Sequence, residues 1–224
     1  MKLNLTIADT NVLKGIALLL LLLHHMVYDK IGLFDDIQVY KSLYLVNELG
    51  KFGKLCVAIF VFLSGYGLTK QLDKNKYIKI GEFYKRRFSK LYLNYWFIWL
   101  IFVPIGILFF GRTFDVVYVN HIWPKFIIDL FGLSHAFGFY GYNATWWFYS
   151  CIIILYLLFP YLYMLLPKYK IVLILISLIL YNSNFVLFQS FNLYLISFSL
   201  GMIMAYGINA PPPHYGILTN LFYG

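Results

Sequence analysis

Charge is scarce in this chain. Charged residues make up only 12% of it and hydrophobic residues 62%, whereas soluble domains carry about 25% charge. A soluble domain of 224 residues could not cover its surface so sparsely, and a bilayer removes that need. Cysteine is scarce too. Cys56 and Cys151 both lie in apolar runs, which excludes a disulfide framework and matches no zinc spacing. No internal repeat and no long soluble linker are visible. The expected fold class is therefore all-α, a polytopic transmembrane helical bundle.

A spanning helix needs about 20 mostly apolar residues. Candidates are Val12–Tyr28, Leu55–Thr69, Leu91–Phe110, Thr145–Leu166, Ile171–Phe188 and Asn192–Ile208, which makes six. The run Ile16 to Leu23 has the basic flank of a secretory signal in Lys14. His24, His25 and Met26 follow where a cleavage site would need small residues, so the run reads as a retained span. The stretch Pro124–Phe139 carries Lys125, Asp129 and His135 and reads as an interfacial or re-entrant segment.

The net charge of +9 is concentrated between apolar runs. That pattern suits topology and anionic headgroups rather than nucleic acid. From Lys70 to Lys90 eight Lys and Arg face only Asp73 and Glu82, which predicts a cytoplasmic loop. Two spans precede it, so the N-terminus of this multi-pass cell-membrane protein is expected in the cytoplasm.

Lys14 and His25 are eleven residues apart. At 3.6 residues per turn that is close to three turns, so both project from one helix face, about 16 Å apart along the axis. Lys14 is then expected near the cytoplasmic surface and His25 deep in the bilayer. His24 points elsewhere. An ionisable group at that depth is a functional candidate, and a neutral imidazole can take a proton from an attacking hydroxyl. The plainer alternative is a histidine hydrogen-bonded within the bundle. Asp29, one turn on, is placed to orient the ring or simply to begin a loop.

Other motifs carry similar alternatives. Ser64, Gly65 and Gly67 form a small-residue patch, for close helix packing or for room beside a bound chain. The cluster Arg86, Arg87 and Lys90 anchors topology and can also hold phosphates. Trp146 and Trp147 suit an interfacial belt, and Trp147 is also a candidate for substrate contact.

In combination these residues resemble a family. Lys14-Gly15-Ile16-Ala17 with His25 after ten intervening residues, Phe60-Val61-Phe62-Leu63-Ser64-Gly65-Tyr66, Phe83 to Lys90, Trp147-Phe148 with Tyr156-Leu157-Leu158-Phe159-Pro160, and Gly201-Met202 follow the order seen in the acyltransferase 3 group of membrane acyltransferases. The resemblance covers about residues 9–207. It implies an O-acyltransferase that moves an acyl group, commonly acetyl, from acyl-coenzyme A to a hydroxyl of a cell-surface glycan. His25 would be the catalytic base. Arg87 and Lys90 would match a basic pair that handles the donor, and Lys14 and Arg86 are grouped with them. Acyl-coenzyme A is a donor substrate, with no permanently bound cofactor and no metal implied.

Lys14 and Lys90 stand where arginine is commoner, so the planar fork of a guanidinium is missing there. Asn94 stands where proline is common. The family usually has around ten spans. Residues 1–210 are therefore expected to be the N-terminal part of a longer domain, with 211–224 as an atypical tail of a truncated chain. Two other readings are a transporter or flippase of a lipid-linked glycan, which should show paired broken helices, and an inactive fragment.

Overall fold

The computed structural model describes residues 3–27, 43–74, 80–182 and 189–207. Every regular element among them is helical. The helices are α1 (Ile7–Val27), α2 (Leu43–Phe52), α3 (Leu55–Lys74), α4 (Ile80–Phe110), α5 (Phe114–Val117), α6 (Ile122–Leu130), α7 (Trp147–Asn182) and α8 (Gln189–Tyr206). Four stretches are long and apolar enough to cross a membrane: Ile7–Met26, Glu48–Asp73, Ile80–Phe110 and Ala144–Asn182. Ser190–Tyr206 is a shorter apolar helix. The all-α multi-pass expectation holds. Asp29, most of the loop before Glu48, Ser183, Asn184 and the tail 211–224 lie outside the described residues.

Two boundaries differ from the sequence reading. The first helix begins at Ile7, five residues before the expected Val12. The cause is local: the Thr6 backbone N–H donates to Asp9 Oδ2 at 2.8 Å, and the Asp9 N–H donates back to Thr6 Oγ1 at 3.1 Å. This reciprocal capping box satisfies amides that a helix start leaves unpaired. The expected fourth and fifth spans are joined in α7, which runs through Pro160 and Pro167 and is broken at Tyr169 (φ −123°, ψ 35°). The break falls between Lys168 and Lys170, in the gap between the expected spans Thr145–Leu166 and Ile171–Phe188.

The described residues form two units: 3–27, 43–71 and 197–207 in one, and 72–74, 80–182 and 189–196 in the other. In the first unit α1 is almost entirely exposed, with Ala17 its one fully buried side chain among those described. α2 lies against it so closely that a Cβ on Gly53 would stand 2.6 Å from the Leu20 carbonyl oxygen and 2.8 Å from His24 Cβ. α3 and the C-terminal part of α8 meet backbone to backbone. A Cβ on Gly65 would strike the Phe198 carbonyl oxygen, and one on Gly201 the Phe62 carbonyl oxygen. The segment before α1 is stitched to both helices. Leu3 N–H donates to the Met204 carbonyl at 3.0 Å, and the Tyr66 hydroxyl accepts from Leu5 N–H at 2.8 Å.

In the second unit α4 packs on α7 near its start. Phe83 stacks on Phe159 at 5.4 Å, and the Tyr84 hydroxyl donates to the Leu157 carbonyl at 2.8 Å. Toward its other end α4 carries Tyr95, Trp99 and Val103 into a buried cluster with Tyr118, Tyr142 and Trp146. The opposite face, including Phe97, Leu100 and Leu108, is exposed, as a lipid-facing stripe requires.

Candidate functional site

Lys14 and His25 do share a face of α1. Both lie on its exposed side with Leu18 and Leu22 between them. The packed side carries Ala17, Leu20 and His24. His24 is half-buried, and its Nδ1 lies 2.9 Å from the Gly50 carbonyl oxygen of α2. The two imidazoles are 5.2 Å apart, tilted by 58°. Adjacent positions on a helix point about 100° apart, so one histidine is spent on packing and the other is left open. His25 stands in the last turn of α1, near the end of the candidate span Ile7–Met26.

Ser64 is half-buried on α3. Its neighbours divide. Gly65 is demanded by the crossing with α8, where Met202 Cγ also comes within 3.4 Å of the added Cβ, while Gly67 has open space around it. The Ser-Gly and Gly-Met motifs of the sequence are thus two halves of one helix crossing.

In the second unit the basic cluster opens α4. Arg86 is exposed and paired with Glu82 at 3.4 Å. Lys90 is exposed, and Arg87 is half-buried. Arg87 lies one turn beyond Phe83, on the side that packs against α7. An exposed pair such as Arg86–Glu82 contributes little to stability, about 0–1 kcal/mol. Trp147 is half-buried and stacked on Tyr194 at 5.7 Å and 14°. Trp146, expected as an interfacial anchor, is instead buried between Tyr95 and Tyr142. Lys14, His25 and Ser64 thus belong to one unit, and Arg86, Arg87, Lys90 and Trp147 to the other.

The segment between α4 and α7 holds a polar centre that the sequence reading did not single out. Asp129 of α6 is fully buried. Its Oδ2 accepts from the Tyr118 hydroxyl and from the Tyr142 N–H, each at 2.7 Å, and its backbone carbonyl accepts from the Tyr95 hydroxyl at 2.5 Å. Burial pushes the Asp129 carboxyl above the usual carboxylate range, opposed by the hydrogen bonds from Tyr142, Tyr118 and Ser134. Among the described residues no cation pairs with it. Gly141 is needed because a Cβ there would enter the Asp129 carboxylate.

Tyr142 is held on every side. Its carbonyl accepts from the Arg112 guanidinium at 2.6 Å, and its hydroxyl donates to the Val103 or Arg112 carbonyl, at 3.1 and 3.0 Å. Gly106 leaves room for that hydroxyl. Gly111, at φ +61°, turns the chain after α4, and Arg112 N–H caps the helix on the Gly106 carbonyl at 3.0 Å. These contacts frame a cavity of about 410 Å³ between the end of α4 and the segment 140–146. Beside it, His135 Nε2 lies 2.9 Å from Ser190 Oγ, and burial lowers the pKa of that imidazole. The one sequence signal for this centre was Asp129 itself, a lone carboxylate inside an apolar stretch.

Comparison with known families decides the identity. The family model for an acyltransferase domain, acyltransferase 3, matches residues 7–218. The chain belongs to the acyltransferase 3 family. The match is wider at both ends than the resemblance read from motifs, and it starts at the first residue of α1. No curated protein and no solved structure matches the chain. As a member of this family with several apolar spans, it is a multi-pass membrane protein of the acyltransferase class.

Proposed function

We propose that this acyltransferase 3 protein is an O-acyltransferase of the cell membrane that moves an acyl group, acetyl above all, from acyl-coenzyme A to a hydroxyl of an extracytoplasmic glycan. The observation that carries the proposal is the family match over residues 7–218, within which His25 stands exposed on the same face of α1 as Lys14.

The N-terminus and the start of α4 lie on the cytoplasmic side in this reading, by the excess of Lys and Arg between residues 70 and 90. Arg86, Arg87 and Lys90 then meet the phosphates of the donor, with Lys14 as a further cation. His25 takes the proton of the acceptor hydroxyl. The oxygen bonds to the thioester carbonyl carbon, the carbon–sulfur bond breaks, and the coenzyme A thiolate leaves to be protonated by solvent or by His25. A histidine in this role contributes about 10²–10⁴-fold. Ser64 and Trp147 are candidate substrate contacts.

Transfer of radiolabelled acetyl from acetyl-coenzyme A to surface glycan, by protein in lipid nanodiscs, tests the assignment. His25→Ala should lower turnover by at least 10²-fold, whereas His24→Gln should spare most of it. Undiminished transfer by His25→Ala would exclude the base role. Glycan flipping without consumption of the donor would favour transport instead.

A further inference from the structure

The cavity at the end of α4 has the chemistry of a saccharide site. Its volume of about 410 Å³ lies within the range of small-molecule pockets, about 300–1,000 Å³. Aromatic residues dominate the lining through Trp146, Tyr140 and Tyr142, of which Tyr140 is the exposed one, and Phe102 of α4 adds an apolar lip. The polar groups that converge on it are donors. Arg112 spends one amine on the Tyr142 carbonyl and has a fork of five N–H groups to spend. The Asn143 carbonyl oxygen is occupied by Thr145, through its N–H at 2.9 Å and its hydroxyl at 2.8 Å, which leaves the amide NH₂ as the donor that side chain can offer. No carboxylate lines the cavity. The one acid nearby, Asp129, is screened behind Gly141 and engaged by Tyr118 and Tyr142.

Apolar C–H faces of a pyranose pack on aromatic rings. A ring of donors with one guanidinium and no acid selects ligands rich in acceptors and negative in charge. The walls are also fixed in advance. Tyr142 is clamped through its N–H, its carbonyl and its hydroxyl, so little ordering remains to oppose binding.

We infer that this cavity is a binding site for the acceptor glycan and that it takes an acidic saccharide, with the negative group on Arg112 and a sugar face on Tyr140. The inference rests on the proposed glycan acceptor, but binding does not require transfer, so the two fail separately.

The test is calorimetric titration of the protein in nanodiscs of neutral lipid, without donor, using trigalacturonate and maltotriose as probes. Trigalacturonate should bind about tenfold more tightly, as one charge-assisted contact implies. Arg112→Gln should erase that preference, and Tyr140→Ala, at a position 72% exposed, should weaken both sugars. Equal affinity of the two sugars, or an unchanged preference in a folded Arg112→Gln protein, overturns the charge assignment. If Arg112→Gln does not fold, Tyr140→Ala decides, and undiminished binding of both sugars overturns the site. An anionic headgroup as the true occupant would show as trigalacturonate binding that is absent in neutral lipid and as tight association of phosphatidylglycerol, which also overturns the proposal. Sugar binding by a protein that transfers no acyl group would leave the cavity assignment standing and remove the proposed reaction.

Discussion

The two ends of α4 are built on opposite principles. At its start the charges are mostly exposed. Arg86 has a surface partner, Lys90 stands in the open, and only Arg87 is drawn partly into the packing. At its end many polar groups are engaged with one another, though Trp99 Nε1 and Asp129 Oδ1 are buried without a protein partner among the described residues. Tyr95 donates to the Asp129 carbonyl, the Tyr142 hydroxyl reaches the Val103 carbonyl, and Arg112 returns to Gly106 and Tyr142. The exposed end leaves the charges of Arg86 and Lys90 at the surface. The engaged end spends its polar groups on one another and so fixes a cavity wall. Within a single helix, one end leaves its charges at the surface and the other fixes its polar groups in advance.

That contrast breaks most sharply through stability. Asp129→Ala should leave the Tyr118 hydroxyl and the Tyr142 N–H buried and unpaired, at about 1–3 kcal/mol for each. Thermal melting of the detergent-solubilised protein should show the loss, and an unchanged melting temperature would mean that the centre holds nothing together. Gly141→Ala comes next. Its Cβ would enter the carboxylate, an overpacking of about 1–3 kcal/mol.

The opposite behaviour is expected at the start of α4. Lys90→Gln, at an exposed position, should raise the KM for acyl-coenzyme A about tenfold, with a melting temperature close to that of the parent. A large loss of stability with an unchanged donor KM would reverse the roles given to the two ends.

A pH series sharpens the same point. The folded-state pKa of Asp129 is raised by burial, so its contribution is fully present below the unfolded carboxylate value, about 3.9. It is lost as pH rises through the folded value. Asp129→Asn keeps an acceptor for both donors and should flatten that slope. The smallest effect belongs to Arg86→Ala, within about 1 kcal/mol, because its partner Glu82 is itself exposed.

How much of this could be read from sequence depends on how local the cause is. The apolar runs announced the spans, because hydropathy is a property of the segment itself. The shared face of Lys14 and His25 followed from helical period alone. The start of α1 was legible as well, since Thr6-Ile7-Ala8-Asp9 is a capping signature, and reading past it set the expected start five residues late, at Val12. The choice between packing and ligand room at Gly65 needed Phe198, and nothing near Gly65 names that partner. The Asp129 centre was hidden for the same reason. Its partners Tyr95, Tyr118 and Tyr142 stand 34, 11 and 13 residues away, and tyrosines are common throughout the chain, with 21 in all.

The crossing of α3 and α8 has a mechanical meaning. Where two helices touch through side chains, rotamers can yield and the helices can slide. Here carbonyl oxygens occupy the places where Gly65 and Gly201 would have carried side chains, so the contact has no soft parts. Rotating α8 about its own axis would drive Met202 into α3, and sliding it would carry the Leu200 or Phe198 side chain over a seat sized for none. The pair behaves as riveted struts with one fewer degree of freedom than their lengths suggest. Any opening and closing that a catalytic cycle asks of this unit must therefore be taken up outside that crossing.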